Sequence, residues 1–232
     1  MARVLLIVPG SHRIDGVVHP VAVWRPEVGF LAASTAVLGG GLGPRRWVLN
    51  ASVGADYRDP APSDHLRRIA RAQGLDGDGI GLMTAVDVRD SHWAGDDGVE
   101  ALATVGLGWP TWAAAEAEPA SSAGSSTAGT INSVVWVPVA LSEAALVNAL
   151  TTATEAKAQA LIERGVPGTG TASDAVAVCC PLPPVRGDGE AYGGPRSTWG
   201  SRVGRAVHTA VSAGAAKDRD HRVRGATSPG GR

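Results

Sequence analysis

Three short stretches in the second half of this 232-residue chain gather side chains that can hold a carbonyl or move a proton. They are Gly129-Thr130-Ile131-Asn132, Thr152-Ala153-Thr154-Glu155-Ala156-Lys157, and Gly168-Thr169-Gly170-Thr171-Ala172-Ser173-Asp174-Ala175-Val176. Two of them open apolar runs and one lies inside a helical pattern. So many hydroxyls at the ends of buried elements are costly unless each finds a partner, so the three stretches read as the wall of a polar pocket.

Within that set, Lys157 has the sharpest signal. Leu146, Ala149, Leu150, Ala153, Ala160 and Leu161 share one stripe at about 100° per residue, and Lys157 falls in its middle, whereas Glu155 lies nearly opposite. A lysine aimed at a core either snorkels to a carboxylate or serves as a desolvated amine that polarises a carbonyl or takes a proton. Gly170 permits close approach of a ligand to the backbone, and the hydroxyls around it, with Asp174, can build either a turn or a ligand nest. Gly129-Thr130 is either a loop end or a point of self-cleavage that would leave an N-terminal threonine as nucleophile.

Several chemistries lose support. Gly-x-x-x-x-Gly-Lys-Ser/Thr, Gly-x-Gly-x-x-Gly after a strand and Gly-x-Ser-x-Gly are missing, and the six histidines and two cysteines show no metal-ligand spacing. The histidines read as surface or loop residues, and no metal and no resident cofactor is expected. A net charge of -1 without a basic stripe argues against nucleic acid as a partner. No apolar run reaches the roughly 20 residues of a membrane span. The adjacent Cys179 and Cys180 exclude a disulfide framework and suit a reducing cytoplasm.

The elements that must position these residues follow from periodicity. Short valine- and leucine-rich runs at 4–8, 21–24, 28–38, 47–53, 80–83 and 102–107 predict strands, interrupted by one helix from about Ser63 or Asp64 to Gly74. Residues 113–129 are mostly alanine, serine, glycine and glutamate and read as a flexible internal loop. Beyond it come a strand at 131–139, a helix at 142–164, a strand at 175–180 and a helix near 200–213. Ser142 is placed to cap the long helix, Leu141 and Leu146 to staple it, and Gly165 with Pro167 to stop it. Residues 216–232 read as an unstructured tail. The expected fold is α+β, a mixed and largely antiparallel sheet covered by about three helices, forming one structural unit over 1–215.

The three stretches, in this order and approximate spacing, resemble the adenosylcobinamide amidohydrolase family, the CbiZ-type corrinoid salvage enzymes. Ser34-Thr35-Ala36-Val37 with Gly39-Gly40-Gly41, then Asn50, Met83-Thr84-Ala85-Val86, and late Tyr192, Gly194, Ser197 and Gly200 extend the likeness over residues 20–212. Ser173 stands where a threonine is usual, and Pro195-Arg196 and the alanine-rich loop depart from the pattern. The resemblance implies hydrolysis of the amide that joins the corrin side chain to aminopropanol, giving adenosylcobyric acid and 1-amino-2-propanol, with a corrinoid as substrate.

An amide needs a nucleophile, donors for the oxyanion and an acid for the departing amine. Lys157, Glu155 and Asp174 are the candidates for proton handling and Thr130 for a nucleophile. Asp174 or Glu155 would activate water or a threonine hydroxyl, while Lys157 and Asn132 stabilise the oxyanion. Thr169, Gly170, Thr171, Ser173, Ser34, Asn50, Thr84 and Ser197 would bind substrate. The rivals are a corrinoid-binding protein without turnover and a self-processed amide hydrolase of another substrate. A homo-oligomer is compatible with the sequence.

Overall fold

The computed structural model describes residues 4–116, 129–185 and 188–227, with side chains described as far as residue 220. The twelve strands are β1 (Val8–Ile14), β2 (Val17–Trp24), β3 (Phe30–Ser34), β4 (Gly41–Arg45), β5 (Val48–Ser52), β6 (Ile80–Thr84), β7 (His92–Asp96), β8 (Val99–Gly106), β9 (Pro110–Thr111), β10 (Thr130–Trp136), β11 (Gly170–Thr171) and β12 (Ala175–Pro181). The helices are α1 (Pro62–Ala72), α2 (Glu143–Glu163) and α3 (Thr198–Thr227).

Instead of one sheet there are two large ones. The first runs β1-β2-β5-β6, the second β4-β3-β12-β10-β8-β7, and β11 pairs with β9 in a small ribbon. Only β5–β6 and β10–β12 are parallel, so the α+β class with a mixed, largely antiparallel arrangement holds.

Alternation along the strands explains the layers, because successive side chains leave opposite faces. On β12, Val176, Val178 and Cys180 join the core under α2 and α3, while Ala175, Ala177 and Cys179 face the first sheet. On β5, Val48 meets the second sheet whereas Leu49 and Ala51 pack under Leu66, Ile69 and Ala70 of α1. The order is therefore helices, sheet, sheet, helix. Both β12 and β10 are covered on two faces, which is why they read as continuous apolar runs.

The long helix is signed at both ends as its sequence predicts. The Ser142 hydroxyl accepts the Ala145 N–H at 3.2 Å, and Leu141 and Leu146 are both fully buried. At the far end the Gly165 N–H bonds to the Ile162 carbonyl and the Val166 N–H to that of Leu161, with Gly165 at φ +71°, a turn that glycine adopts without strain.

Two boundaries differ from expectation. Helix α1 starts at Pro62, whose fixed φ suits the first helical position, ahead of Ser63 and Asp64. Helix α3 does not stop near 213 but continues to Thr227, through much of the stretch that reads as a tail. Ala215 is buried, Lys217 pairs with Asp90 at 2.7 Å, and the Asp218 carboxylate accepts the Leu107 N–H at 3.3 Å, so packing and ion pairing carry the helix onward. The loop expected at 113–129 lies outside the described residues except at its two ends, as does the end of the tail at 228–232. No helix among the described residues is long and apolar enough to cross a membrane.

Candidate active site

The parallel pair β10–β12 brings the first and third stretches side by side. Asn132 is in register with Ala175, so Thr130 and Ile131 lie beside the loop that leads into β12. That loop is fixed from its other side, where Gly170 pairs with Thr111 and Thr171 with Pro110. From beneath, α2 sends up Lys157, which is buried and forms an ion pair with Asp174 that is itself almost closed to solvent. Gly170 lies directly over this pair, and any side chain there would collide with both the ammonium and the carboxylate.

Asp174 is the organiser of the loop. One oxygen accepts the Ile131 N–H at 2.9 Å and lies 2.5 Å from the Thr171 hydroxyl, and the other accepts the Thr171 N–H at 3.1 Å as well as the lysine. With both oxygens committed to donors, its role is to hold β10, the loop and α2 together, and it has no free lone pair poised over the cleft.

Above the pair is a run of hydroxyls. Thr130 Oγ1 and Ser173 Oγ are 2.7 Å apart. The Gly129 carbonyl accepts from Ser173 Oγ at 3.2 Å and lies 2.8 Å from Thr171 Oγ1, whose single proton is directed to the nearer Asp174 carboxylate. With Ser173 donating to that carbonyl, the Thr130 proton has Ser173 as its acceptor. Gly129 is itself confined, since a Cβ there would come within 2.8 Å of both the Gly106 carbonyl and the Gly108 nitrogen.

Of these groups, Thr130 and Ser173 line one end of a cleft of about 620 Å³, within the usual range for small-molecule sites, with Gly129 and Thr171 behind them. Thr130, Asn132, Ser173, Asp174, Thr84 and Thr35 form its polar end, and Val37, Val53, Tyr57, Pro62 and Met83 form an apolar wall. Tyr57 Oη and His65 Nδ1 are hydrogen-bonded at 2.9 Å, and burial, and then the Asp59 charge, push the phenol up to about 12 against Arg68. His65 is shifted below its ordinary value, first by burial and then by Arg68 and His12, with Asp59 opposing.

Other expected residues fall elsewhere. Asn132 faces the cleft but spends its amide N–H groups on the Met83 carbonyl at 2.8 Å and Asn50 Oδ1 at 3.1 Å, so it is not a free oxyanion donor. Asn50 continues this bridge between the sheets to Thr104. Thr84 lines the cleft and accepts the Val86 N–H at 3.1 Å. Ser34 is buried and caps the Ala36 N–H, leaving its neighbour Thr35 to reach the cleft. Thr169 accepts the Ala113 N–H at 3.0 Å and steadies the loop from outside. Ser197 accepts the Gly200 N–H where α3 begins. Glu155 is exposed and lines a separate groove between α2 and α3, away from the cleft that Thr130, Asn132, Ser173 and Asp174 line. Sequence reasoning missed Thr35, Tyr57 and the Gly129 carbonyl as parts of the site. Only Thr35 carried a signal, through its place in the Ser34–Val37 segment.

The chain that builds this cleft is similar to known proteins over most of its length. A family profile described as adenosylcobinamide amidohydrolase matches residues 8–222. The chain belongs to the adenosylcobinamide amidohydrolase family. A protein named adenosylcobinamide amidohydrolase from Methanosarcina mazei is 32% identical over 191 residues, covering 80% of this chain and 90% of that relative.

Proposed function

We propose that this protein hydrolyses the amide bond of adenosylcobinamide, releasing adenosylcobyric acid and 1-amino-2-propanol. The observation that carries the reading is the Gly129 carbonyl: an amide carbonyl that accepts from the Ser173 hydroxyl and lies against the Thr171 hydroxyl, next to that of Thr130. An oxyanion hole requires this arrangement, with donors fixed in advance by their own partners. Family membership supplies the substrate class, and the apolar wall suits one face of a macrocycle too broad to enter the cleft whole, leaving its amidated arm to reach the hydroxyls.

In this mechanism Thr130 Oγ1 attacks the amide carbon, forming an ester as the bond to nitrogen breaks and the amine leaves with a proton. Ser173 donates to the developing oxyanion, and Thr171 joins it as its proton turns from the Asp174 carboxylate to the new charge. Water then cleaves the ester, giving the acid and restoring the threonine. Lys157 and Asp174 act through the loop, fixing the Thr171 hydroxyl by way of the Asp174 carboxylate. Incubating the purified protein with adenosylcobinamide and separating the products by chromatography tests the reading. Both named products are expected, and binding with no turnover across a neutral-to-alkaline pH series would reject it.

A further inference from the structure

We infer that the chain's own Gly129–Thr130 peptide is the first amide this site cleaves, and that the working enzyme is a two-chain form whose second chain begins at Thr130. The inference rests on Thr130 as the nucleophile in the function proposed above.

Three observations lead there. The Gly129 carbonyl already occupies the place that a substrate carbonyl needs, accepting from Ser173 at 3.2 Å and lying 2.8 Å from the Thr171 hydroxyl. As long as it stays, no substrate carbonyl can take that place. Second, the neighbouring hydroxyl of Thr130 has its proton directed to Ser173 at 2.7 Å, which leaves lone pairs for attack. A threonine hydroxyl closes a five-membered ring onto the carbonyl that precedes it, so nucleophile and carbonyl are held together covalently, the condition under which effective molarities are largest. Third, Asp174 has no lone pair left over to activate water, and Asn132 has no N–H left over to stabilise an oxyanion, in the intact chain. A new α-amine on Thr130 would supply the missing base, since such amines titrate near about 8 and can take the hydroxyl proton of their own residue at neutral pH.

The step balances without any outside reagent except water. Thr130 Oγ1 bonds to the Gly129 carbonyl carbon, the carbon–nitrogen bond breaks, and the hydroxyl proton passes to the Thr130 nitrogen, giving an ester and a free amine. Water then splits the ester. Its hydroxyl stays on Gly129 as a carboxylic acid and its hydrogen returns to Thr130 Oγ1. The fold would keep both pieces, because β10 is held between β8 and β12 along its length. The departure of Gly129 then opens the hydroxyl pair to substrate.

The experiment weighs the purified full-length chain after denaturation and, in parallel, under native conditions. Expected are one native particle and two denatured fragments, one running from Thr130 to Arg232, formed at a first-order rate that dilution does not change. Thr130→Ala should stay whole and Thr130→Ser should still divide. Thr171→Val should divide about 10²-fold more slowly, the cost of one oxyanion donor. Circular dichroism confirms that the whole Thr130→Ala chain is folded. A preparation that turns over adenosylcobinamide with the Gly129–Thr130 bond intact would overturn the inference and leave the proposed function standing. A divided chain without turnover would support the inference and remove the function. Division of Thr130→Ala at the same bond would overturn it by implicating an outside protease.

Discussion

The two walls of the cleft are built on different physical principles. The polar end is locked: Thr130, Thr171, Ser173 and Asp174 each have a protein partner within hydrogen-bond distance, and a buried ion pair clamps them from below. The opposite wall, Val37, Val53, Tyr57, Pro62 and Met83, is held by packing and by one hydrogen bond from Tyr57 to a titratable ring. Chemistry on an amide demands fixed donors, whereas gripping a broad apolar face demands area and tolerates movement. On the proposed function, the first task falls to the junction of β10, β12 and α2, and the second to the loop before α1 and the end of β6.

The largest expected effect comes from unlocking the polar end. Lys157→Ala leaves the Asp174 carboxylate buried without its counter-charge, and Asp174→Asn leaves the ammonium likewise. Removing one member of such a pair costs about 3–5 kcal/mol. Denaturant midpoints should fall accordingly, and turnover should drop by about 10²-fold or more as the Thr171 donor loses its anchor. The double variant Lys157→Met with Asp174→Asn removes both charges and should regain stability relative to either single change without regaining activity. If the double variant turns over substrate like the wild type, the clamp does not position the hydroxyls and the contrast between the walls is lost.

The polar end was more legible in the sequence than the wall facing it, for a physical reason. Lys157 announced itself because a helix imposes a period, and a charge in the middle of an apolar stripe breaks that period visibly. Its partner did not, since the contact with Asp174 crosses from a helix to a loop and no spacing rule connects them. Asn132 had the right chemistry, yet its N–H groups are spent on Met83 and Asn50, which approach only when the two sheets face each other. The buried strands β10 and β12 were readable as apolar runs. The edge strands β1 and β4 were not, because Val8–Ile14 and Gly41–Arg45 carry the glycine, proline and arginine that exposed edges tolerate. His12, expected at the surface, is buried on β1 and bonds the Ser52 carbonyl at 2.7 Å, again through a neighbour that only the sheet supplies. Tyr57 sits in an aperiodic turn and had no signal at all.

A smaller and pH-dependent effect should separate the apolar wall from the polar one. His12 and His65 both lie below their ordinary value of 6.5, chiefly through burial, with His19 lowering His12 further and Asp59 opposing Arg68 and His12 at His65. The folded chain therefore binds fewer protons than the unfolded one between 6.5 and the lowered values. Stability is complete above 6.5 and is lost as pH falls through the folded values. A protonated His65 can only donate at Nδ1, which fixes the sense of its bond with Tyr57 and places a charge behind the apolar wall, so KM for adenosylcobinamide should rise on acidification faster than kcat falls. Tyr57→Phe deletes that hydrogen bond, worth about 0.5–1.5 kcal/mol, which is up to about tenfold in KM. Its KM should be raised at neutral pH and flatter toward acid. An unchanged KM profile in Tyr57→Phe would mean that this wall does not touch the substrate.

The smallest effect is expected two residues from the largest. Glu155 and Lys157 share α2, but two helical steps rotate one side chain about 200° from the other, so Lys157 enters the core while Glu155 faces the groove beside Gln159 and His208. An exposed carboxylate there has bulk water as its partner, and its replacement by alanine should change stability by no more than about 0.5 kcal/mol. Turnover by Glu155→Ala should match the wild type at every pH at which both are folded. A large loss of kcat in this variant, with the denaturant midpoint unmoved, would show that proton handling reaches the site from the α2–α3 groove, and the division of labour between the two walls would have to be redrawn around three surfaces.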